Sequence, residues 1–132
     1  MKAHEVGRER RRLNFAHAVR EKFAFLEDMG FSEVDLSTTL VRYRRGELEV
    51  TLYHGRRSFE IGFEVSRDGT RYSISELIGV ADAGAAKRYH NFAATTSAGV
   101  IEGLNQLVEL VTHYGDRALR SDSAFFAMLE DY

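Results

Sequence analysis

The chain has 132 residues, a formal net charge of −2, 44% hydrophobic residues and 29% charged residues. These values are ordinary for a globular protein with its own core, so we predict a single domain over residues 1–132. The absence of cysteine excludes disulfides, thiol catalysis and thiolate metal sites. No apolar run is long enough to cross a membrane, and residues 1–15 lack the apolar stretch of a secretory signal. We therefore expect a cytoplasmic protein without a membrane partner.

The charge is unevenly distributed along the chain. Residues 1–57 carry 12 Lys and Arg against 9 Asp and Glu, whereas residues 58–132 carry 6 against 11. Neither part has the strongly basic footprint of a nucleic-acid-binding protein. The most visible basic run, residues 8–12, includes Glu9 and has no interleaved aromatic residue. We predict no nucleic-acid partner and interpret this run as the solvated start of a helix.

Residues 9–29 are predicted to form an amphipathic helix. Apolar residues recur there at helical spacing, at Phe15, Val19, Phe23 and Leu26. Gly30 follows, and glycine commonly ends a helix in the left-handed conformation. Phe31 supplies the apolar contact that often accompanies such an ending.

Residues 38–66 change to strict alternation of apolar and polar side chains, which indicates strands with one face in the core. Two-residue turns at 45–46, 55–56 and 68–69 would connect them as an antiparallel meander. The resulting pairs are Tyr43 with Leu48, Leu52 with Phe59, and Val65 with Tyr72. This register keeps every apolar residue on one face. It also places Glu47 opposite Glu64, a like-charge pair.

Helices are predicted for most of the C-terminal half. Ser73 and Glu76 have the spacing of a capping box and should begin a short helix. Residues 82–96 have mixed signals and are predicted to be a loop with a partial helix. Ser97 then caps a long helix that ends near Gly115, and a last short helix covers residues 122–130. The fold class is therefore α+β: an antiparallel meander of three to four strands packed against a long N-terminal helix and two to three C-terminal helices.

The polar face of the meander is the best candidate for contact with a partner. It carries Arg42, Arg44, Glu49, Tyr53, Glu60 and Glu64. One interpretation is a recognition surface with Tyr53 as its aromatic anchor. The other is an ordinary solvated sheet face, on which the arginines balance the glutamates. The first strand is predicted to be an edge, at which Arg42 and Arg44 would discourage indiscriminate pairing.

No motif with catalytic or metal-ligand spacing is present, and we predict no cofactor, no metal and no catalytic residue. His4, His17, His54, His90 and His113 are scattered, and none has a carboxylate at metal-ligand spacing. His54 should extend the inward row of its hairpin. His90 is the best catalytic candidate by residue type alone. It suggests an alternative site near residues 82–96, between the sheet and the long helix, for a small-molecule-binding or enzymatic domain.

Four short stretches carry a resemblance: residues 25–31 (FLEDMGF), 41–43 (VRY), 57–61 (RSFEI) and 119–126 (LRSDSAFF). Together they resemble a group of small, uncharacterised bacterial proteins, some of them immunity-like partners in toxin systems. In that group, glycine is usual at the position of Ser121. The resemblance implies a binding role and carries no catalytic residue. The leading expectation is therefore a non-enzymatic protein-binding domain, with a protein partner or self-association.

Overall fold

The fold is that of a computed structural model, which describes residues 13–132. His4 and the basic run at residues 8–12 lie outside the described part of the chain. Six strands form one antiparallel sheet, in which the first five follow the chain order and the sixth pairs with the fourth. One face of the sheet packs with the helices into a shared hydrophobic core. The predicted α+β class is confirmed.

The helices and strands of the described residues have the following bounds. The strands are β1 Ser32–Leu36, β2 Leu40–Arg45, β3 Leu48–His54, β4 Glu60–Arg67, β5 Thr70–Ser73 and β6 Phe92–Ala93. The helices are α1 Phe15–Lys22, α2 Phe25–Asp28, α3 Ile74–Ala81, α4 Ala83–Arg88, α5 Ser97–Tyr114, α6 Asp116–Leu119 and α7 Ser123–Asp131.

The inward face of the sheet follows the predicted alternation. Every second residue of β3 is buried, from Leu48 to His54, and β4 continues the core with Ile61 and Phe63. The ring of Phe63 lies 6.2 Å from the ring of Phe23, at the end of α1. Burial of apolar side chains of this size stabilises the fold by roughly 1.5–3 kcal/mol each.

The long helix predicted over residues 9–29 is not confirmed. Within the described residues, α1 ends at Lys22 and α2 begins at Phe25. Between them the backbone tightens, since the N–H of Leu26 donates to the carbonyl of Phe23, three residues back, at 3.0 Å. Apolar spacing cannot reveal this break, because both segments place their apolar residues toward the core.

The predicted end of this helical region is confirmed. Gly30 has a φ of +94°, and its N–H donates to the carbonyl of Glu27. The N–H of Phe31 donates to the carbonyl of Leu26 at 3.0 Å, and its side chain is buried. These two bonds form the Schellman motif, which turns the chain directly into β1.

The turn between β2 and β3 lies one residue later than predicted. The connecting residues are Gly46 and Glu47, and Tyr43 therefore pairs with Val50 instead of Leu48. Gly46 takes a φ of +59°, which glycine adopts without strain. The register differs from the predicted one by two residues, so the apolar side chains stay on the inward face.

The connection between β3 and β4 is longer than the predicted two-residue turn. It runs through residues 55–59 and closes with a hydrogen bond from the N–H of Gly55 to the carbonyl of Glu60 at 2.7 Å. Leu52 consequently pairs with Phe63, a shift of four residues that again preserves the face. The third turn is confirmed as predicted, with Val65 opposite Tyr72 across residues 68–69.

Strand β1 was not predicted, and it changes the edge of the sheet. It pairs with β2 from Ser32 to Leu36, so the prediction that the strand of Arg42 and Arg44 forms an edge is wrong. Four of its five residues are exposed. Val34 and Leu36 alternate with Glu33 and Asp35, but both apolar side chains are exposed, so this alternation does not mark a face toward the core.

Two helix starts test the predicted caps. The capping box is confirmed: the Ser73 hydroxyl accepts from the N–H of Glu76, and the Glu76 carboxylate accepts from the N–H of Ser73. The start of α5 is capped by Thr96, whose hydroxyl accepts from the N–H of Gly99 at 3.0 Å. The predicted cap at Ser97 is therefore off by one residue.

Arg45 connects three separate parts of the fold. Its guanidinium donates to the carbonyl of Met29 at 2.8 Å and to the carbonyl of Leu119 at 2.5 Å. It also donates to the hydroxyl of Ser121 at 3.1 Å and lies 4.5 Å from the ring centroid of Phe31. A cation at the C-terminal ends of α2 and α6 is favourable because both ends expose carbonyl groups.

Candidate functional site

All six predicted partner-binding residues lie on one face of the sheet, the face that alternates with the buried side chains. We call it the outer face. The registers of β2, β3 and β4 place its members there, and they are Arg42, Arg44, Glu49, Tyr53, Glu60 and Glu64. They divide into two groups. The basic group consists of Arg42 and Arg44 on β2 with Glu49 on β3, and the acidic group consists of Glu60 and Glu64 around Tyr53.

The basic group is already paired within the protein. The Nε of Arg44 donates to Glu49 at 2.9 Å. Arg42 donates from Nη1 to Asp35 and from Nε to Thr51, each at 3.4 Å. Exposed pairs of this kind contribute little stability, yet they leave this end of the outer face with little uncompensated charge.

The acidic group has fewer internal partners. The register of β3 and β4 places Thr51 opposite Glu64, so the predicted Glu47–Glu64 pair is wrong. Within residues 13–132, Glu64 takes part in no ion pair. Glu60 accepts one hydrogen bond, from the side-chain amide of Asn91 at 3.3 Å. Within residues 13–132, neither Glu60 nor Glu64 is therefore paired with a cation.

Tyr53 lies flat across the sheet between the two carboxylates. It pairs with Gly62, and a Cβ placed on Gly62 would stand 2.0 Å from the Cζ of Tyr53. Gly62 is midway between Glu60 and Glu64 on the outward side of β4. Burial raises the pKa of Tyr53, and the charges of Glu64 and then Glu60 raise it further. The phenol is therefore neutral and can donate a hydrogen bond near pH 7.

The segment after α4 folds back onto the same region. Strand β6 pairs Ala93 with Glu60 and Phe92 with Ile61. An open depression of about 480 Å³ results, lined by Glu60, Ser75, Tyr89, His90 and Asn91. The alternative site near residues 82–96 was predicted between the sheet and the long helix, whereas no residue of α5 lines this depression. It adjoins the outer face at Glu60, so the two predicted sites are neighbours.

Tyr89 is the most unusual side chain in this region. Its hydroxyl oxygen is buried and has no hydrogen-bond partner among residues 13–132. Its ring contacts Phe92 edge-on, with 6.0 Å between ring centroids. Burial raises the pKa of Tyr89 to about 12, with smaller contributions from Tyr53 and Glu60. We call Tyr53, Glu60, Glu64, Tyr89 and Asn91 the acidic–aromatic patch.

The described histidines form no site of their own. His54 extends the inward row as predicted, is 2% exposed, and has its Nε2 at 2.8 Å from the carbonyl oxygen of Ala94. His17 and His113 are exposed on α1 and α5, and His90 lines the depression. In the part of the chain that the structure describes, no cluster of three or more His, Asp or Glu residues is arranged to hold a metal ion.

Three residues of the region were not identified from the sequence. Gly62 carried a usable signal, because glycine inside a strand often marks the close approach of another group. Ser75 and Asn91 carried none, since each acquires its position only when α3 and β6 pack beside β4. Their contribution depends on tertiary structure.

No described helix combines the length and apolar character that a membrane span requires. Comparisons of the chain with protein-family models, with curated proteins and with solved structures gave no match.

Proposed function

We propose that this chain is a non-enzymatic protein-binding domain that contacts its partner through the outer face, chiefly the acidic–aromatic patch. The observation that supports this is the position of Tyr53 across Gly62, between two carboxylates that form no ion pair within residues 13–132. Aromatic side chains on rigid elements are frequent anchors of interfaces. A partner with a basic surface fits this charge.

The division of the outer face favours the acidic end as the contact. Arg42, Arg44 and Glu49 already form hydrogen bonds within the sheet, and a partner would have to compete with them. Within residues 13–132, Glu64 forms no ion pair that a partner would have to break. The sequence resemblance favours one specific form of this proposal, an immunity-type inhibitor that binds and blocks a cognate bacterial protein.

The first test is recovery of a partner with the tagged chain from the lysate of its own cells. A stoichiometric protein partner is expected. Reversal of charge with Glu60→Lys and Glu64→Lys should then slow association by about tenfold at low ionic strength, because a carboxylate patch steers a basic partner. The difference should shrink as salt screens the charges.

The matched control reverses two carboxylates on α5, with Glu102→Lys and Glu109→Lys. Both side chains are exposed, and the change in net charge is the same. If both double variants slow association equally, only the net charge matters and the patch is not the contact. Failure to recover any stoichiometric partner contradicts the proposal as a whole.

Self-association is a variant of the same proposal. Val34 and Leu36 on the edge strand β1 are 46% and 42% exposed, and an edge strand offers unpaired backbone groups to a second copy. Light scattering of the purified chain distinguishes a monomer from an oligomer. A monomeric chain at micromolar concentration contradicts this variant.

The second candidate function is binding or conversion of a small molecule at the depression near residues 82–96. The partnerless hydroxyl of Tyr89 and the nearby His90 support it. A library of metabolites is screened for compounds that raise the unfolding temperature. Compounds that act through this site should lose their effect in Tyr89→Phe and His90→Ala.

A further inference from the structure

The depression beside Glu60 differs chemically from the rest of the outer face. Its lining combines one carboxylate, one amide and two hydroxyls with a histidine. Hydrogen-bond acceptors therefore predominate, next to a negative charge. We infer that this depression is a subsite for a cationic side chain, an arginine or a lysine, carried by the protein partner. The inference rests on the proposed function and specifies the group that the partner inserts.

The hydrogen bond between Asn91 and Glu60 orients two acceptors. Asn91 donates its Nδ2 to Oε2 of Glu60 at 3.3 Å. Within residues 13–132, the other oxygen of Glu60 and the Oδ1 of Asn91 accept no hydrogen bond. A guanidinium or an ammonium is rich in donors and has no acceptor. Such a group matches a pair of neighbouring acceptors, one of them charged.

Tyr89 supplies an independent observation. Its hydroxyl is buried without a partner in the described residues, and such groups are rare because their desolvation is not compensated. Functional sites are a common reason for keeping them. The phenol oxygen can accept from a cation once the neighbouring side chains shift to expose it, and the face of a tyrosine ring attracts a cation. Tyr89 thus offers two modes of interaction with the same ligand group.

The described part of the chain does not fill this subsite with a cation of its own. No Lys or Arg of residues 13–132 lines the depression. Arg88 directly precedes Tyr89, yet its Nη1 lies 3.3 Å from a Cβ placed on Gly84, back along α4. Among residues 13–132 no Lys or Arg supplies the cation at Glu60, which is consistent with a cation brought by the partner.

The test uses three small probes on the isotope-labelled full chain: Nα-acetyl-arginine amide, Nα-acetyl-lysine amide and Nα-acetyl-citrulline amide. Citrulline has nearly the shape of arginine but no charge. A cationic probe should shift the amide resonances of Ser75, His90 and Asn91 with a dissociation constant of about 1–10 mM. Citrulline should bind at least about fivefold more weakly, because charged hydrogen bonds are the stronger ones. The comparison of arginine with lysine identifies the preferred cation.

Two variants test the residues. Glu60→Gln should lower the affinity for the cationic probe by about tenfold, and the affinity for the citrulline probe much less. Tyr89→Phe should lower the affinity for the cationic probe by at least about threefold. The unfolding midpoint of the free protein should stay unchanged or rise, because the variant removes a buried hydroxyl that has no partner within residues 13–132. Tyr114→Phe on α5 serves as the control and should leave probe binding unchanged.

Three outcomes overturn the inference: citrulline binds as well as arginine, the shifts lie elsewhere, or no shift appears up to about 50 mM probe. The result is separable from that of the partner search. Probe binding without a recoverable protein partner contradicts the proposed function and leaves the subsite standing. A partner whose association depends on Tyr53 and Glu64 but not on Glu60 or Tyr89, with no probe binding, contradicts the subsite and leaves the proposed function standing.

Discussion

At the scale of single residues, Gly62 determines how the outer face can be used. Any side chain at this position would occupy the space of the Tyr53 ring, because a Cβ there stands 2.3 Å from its hydroxyl oxygen. The glycine lets the phenol lie flat on the strand, where it is half-buried and held in one orientation. An aromatic ring ordered in this way loses little conformational entropy when a partner binds.

Gly62→Ala should displace the Tyr53 ring from the sheet. We expect partner affinity to fall by about tenfold, which is the scale of a lost interface anchor. The free energy of unfolding should fall by about 1–3 kcal/mol, as for other overpacked positions. Calorimetric titration with the partner and urea denaturation measure the two effects.

Gly84→Ala on α4 is the matched control. Its added Cβ meets only the tips of the Arg88 and Asp82 side chains, at 3.3 and 3.4 Å. Alanine also favours the helix, so stability should hold or increase and affinity should not change. An unchanged affinity in Gly62→Ala would mean that the orientation of Tyr53 has no role in binding.

At the scale of elements, the sequence determined faces better than registers. The two wrong registers differ from the observed ones by two and four residues. An alternating pattern has a period of two, so every even shift satisfies it equally. Turn chemistry has to decide among these shifts, and residues 55–59 close with Phe59 at a φ of +57°. An aromatic residue in that conformation has no recognisable sequence signal.

For the candidate site too, the sequence pattern predicted which face each residue occupies but not which residues are neighbours. The six predicted residues lie on one face because face assignment needs only parity. The link between Glu60 and Asn91 requires β6, and two residues are too short for any periodicity. Strand β1 escaped prediction because its alternation covers only Glu33 to Leu36, and most of its side chains are exposed. Short or edge elements depend on their neighbours more than on their own sequence.

The start of α7 permits a test of pH dependence. Asp122 caps this helix by accepting from the N–H of Phe125 at 3.1 Å. The hydrogen bond from Arg117 and then the bond from Phe125 lower the pKa of Asp122. A carboxyl whose pKa is lowered on folding adds stability above its unfolded value, and this stability is lost as the pH falls through the folded value.

Asp122→Asn keeps a capping oxygen and removes the charge. The wild-type chain should have the higher urea midpoint at pH 7, and the two midpoints should converge as the pH falls below the ordinary aspartate pKa of about 3.9. Denaturation curves at a series of pH values measure this difference. A gap that stays constant down to pH 2 would show that the ionisation of Asp122 does not contribute.

At the scale of the whole molecule, Arg45 connects segments that are far apart in the sequence by hydrogen bonds. Its guanidinium reaches Met29 near the N-terminal side of the sheet and Leu119 near the C-terminal side, positions far apart in sequence. Ser121, which also accepts from Arg45, takes a φ of +60°. Glycine would adopt that conformation without strain.

Arg45→Lys should therefore destabilise the whole chain. A lysine keeps the charge but lacks the planar fork that serves several acceptors at once. We expect a loss of about 1–3 kcal/mol in the free energy of unfolding. Arg44→Lys, at the adjacent position, breaks only an exposed pair and should cost less than about 1 kcal/mol. Equal losses in the two variants would contradict the role of Arg45.

The arrangement of the turns has a practical consequence. Gly46 and Gly69 lie at the same end of the sheet, and each has open space around it. The acidic–aromatic patch lies toward the other end, and Tyr53 follows Leu48 by roughly 17 Å along β3. Because the chain has no cysteine, one thiol introduced at Glu47 would be unique. A dye or a solid support attached there would leave the patch facing solution, which gives single-molecule and surface-based assays a defined orientation.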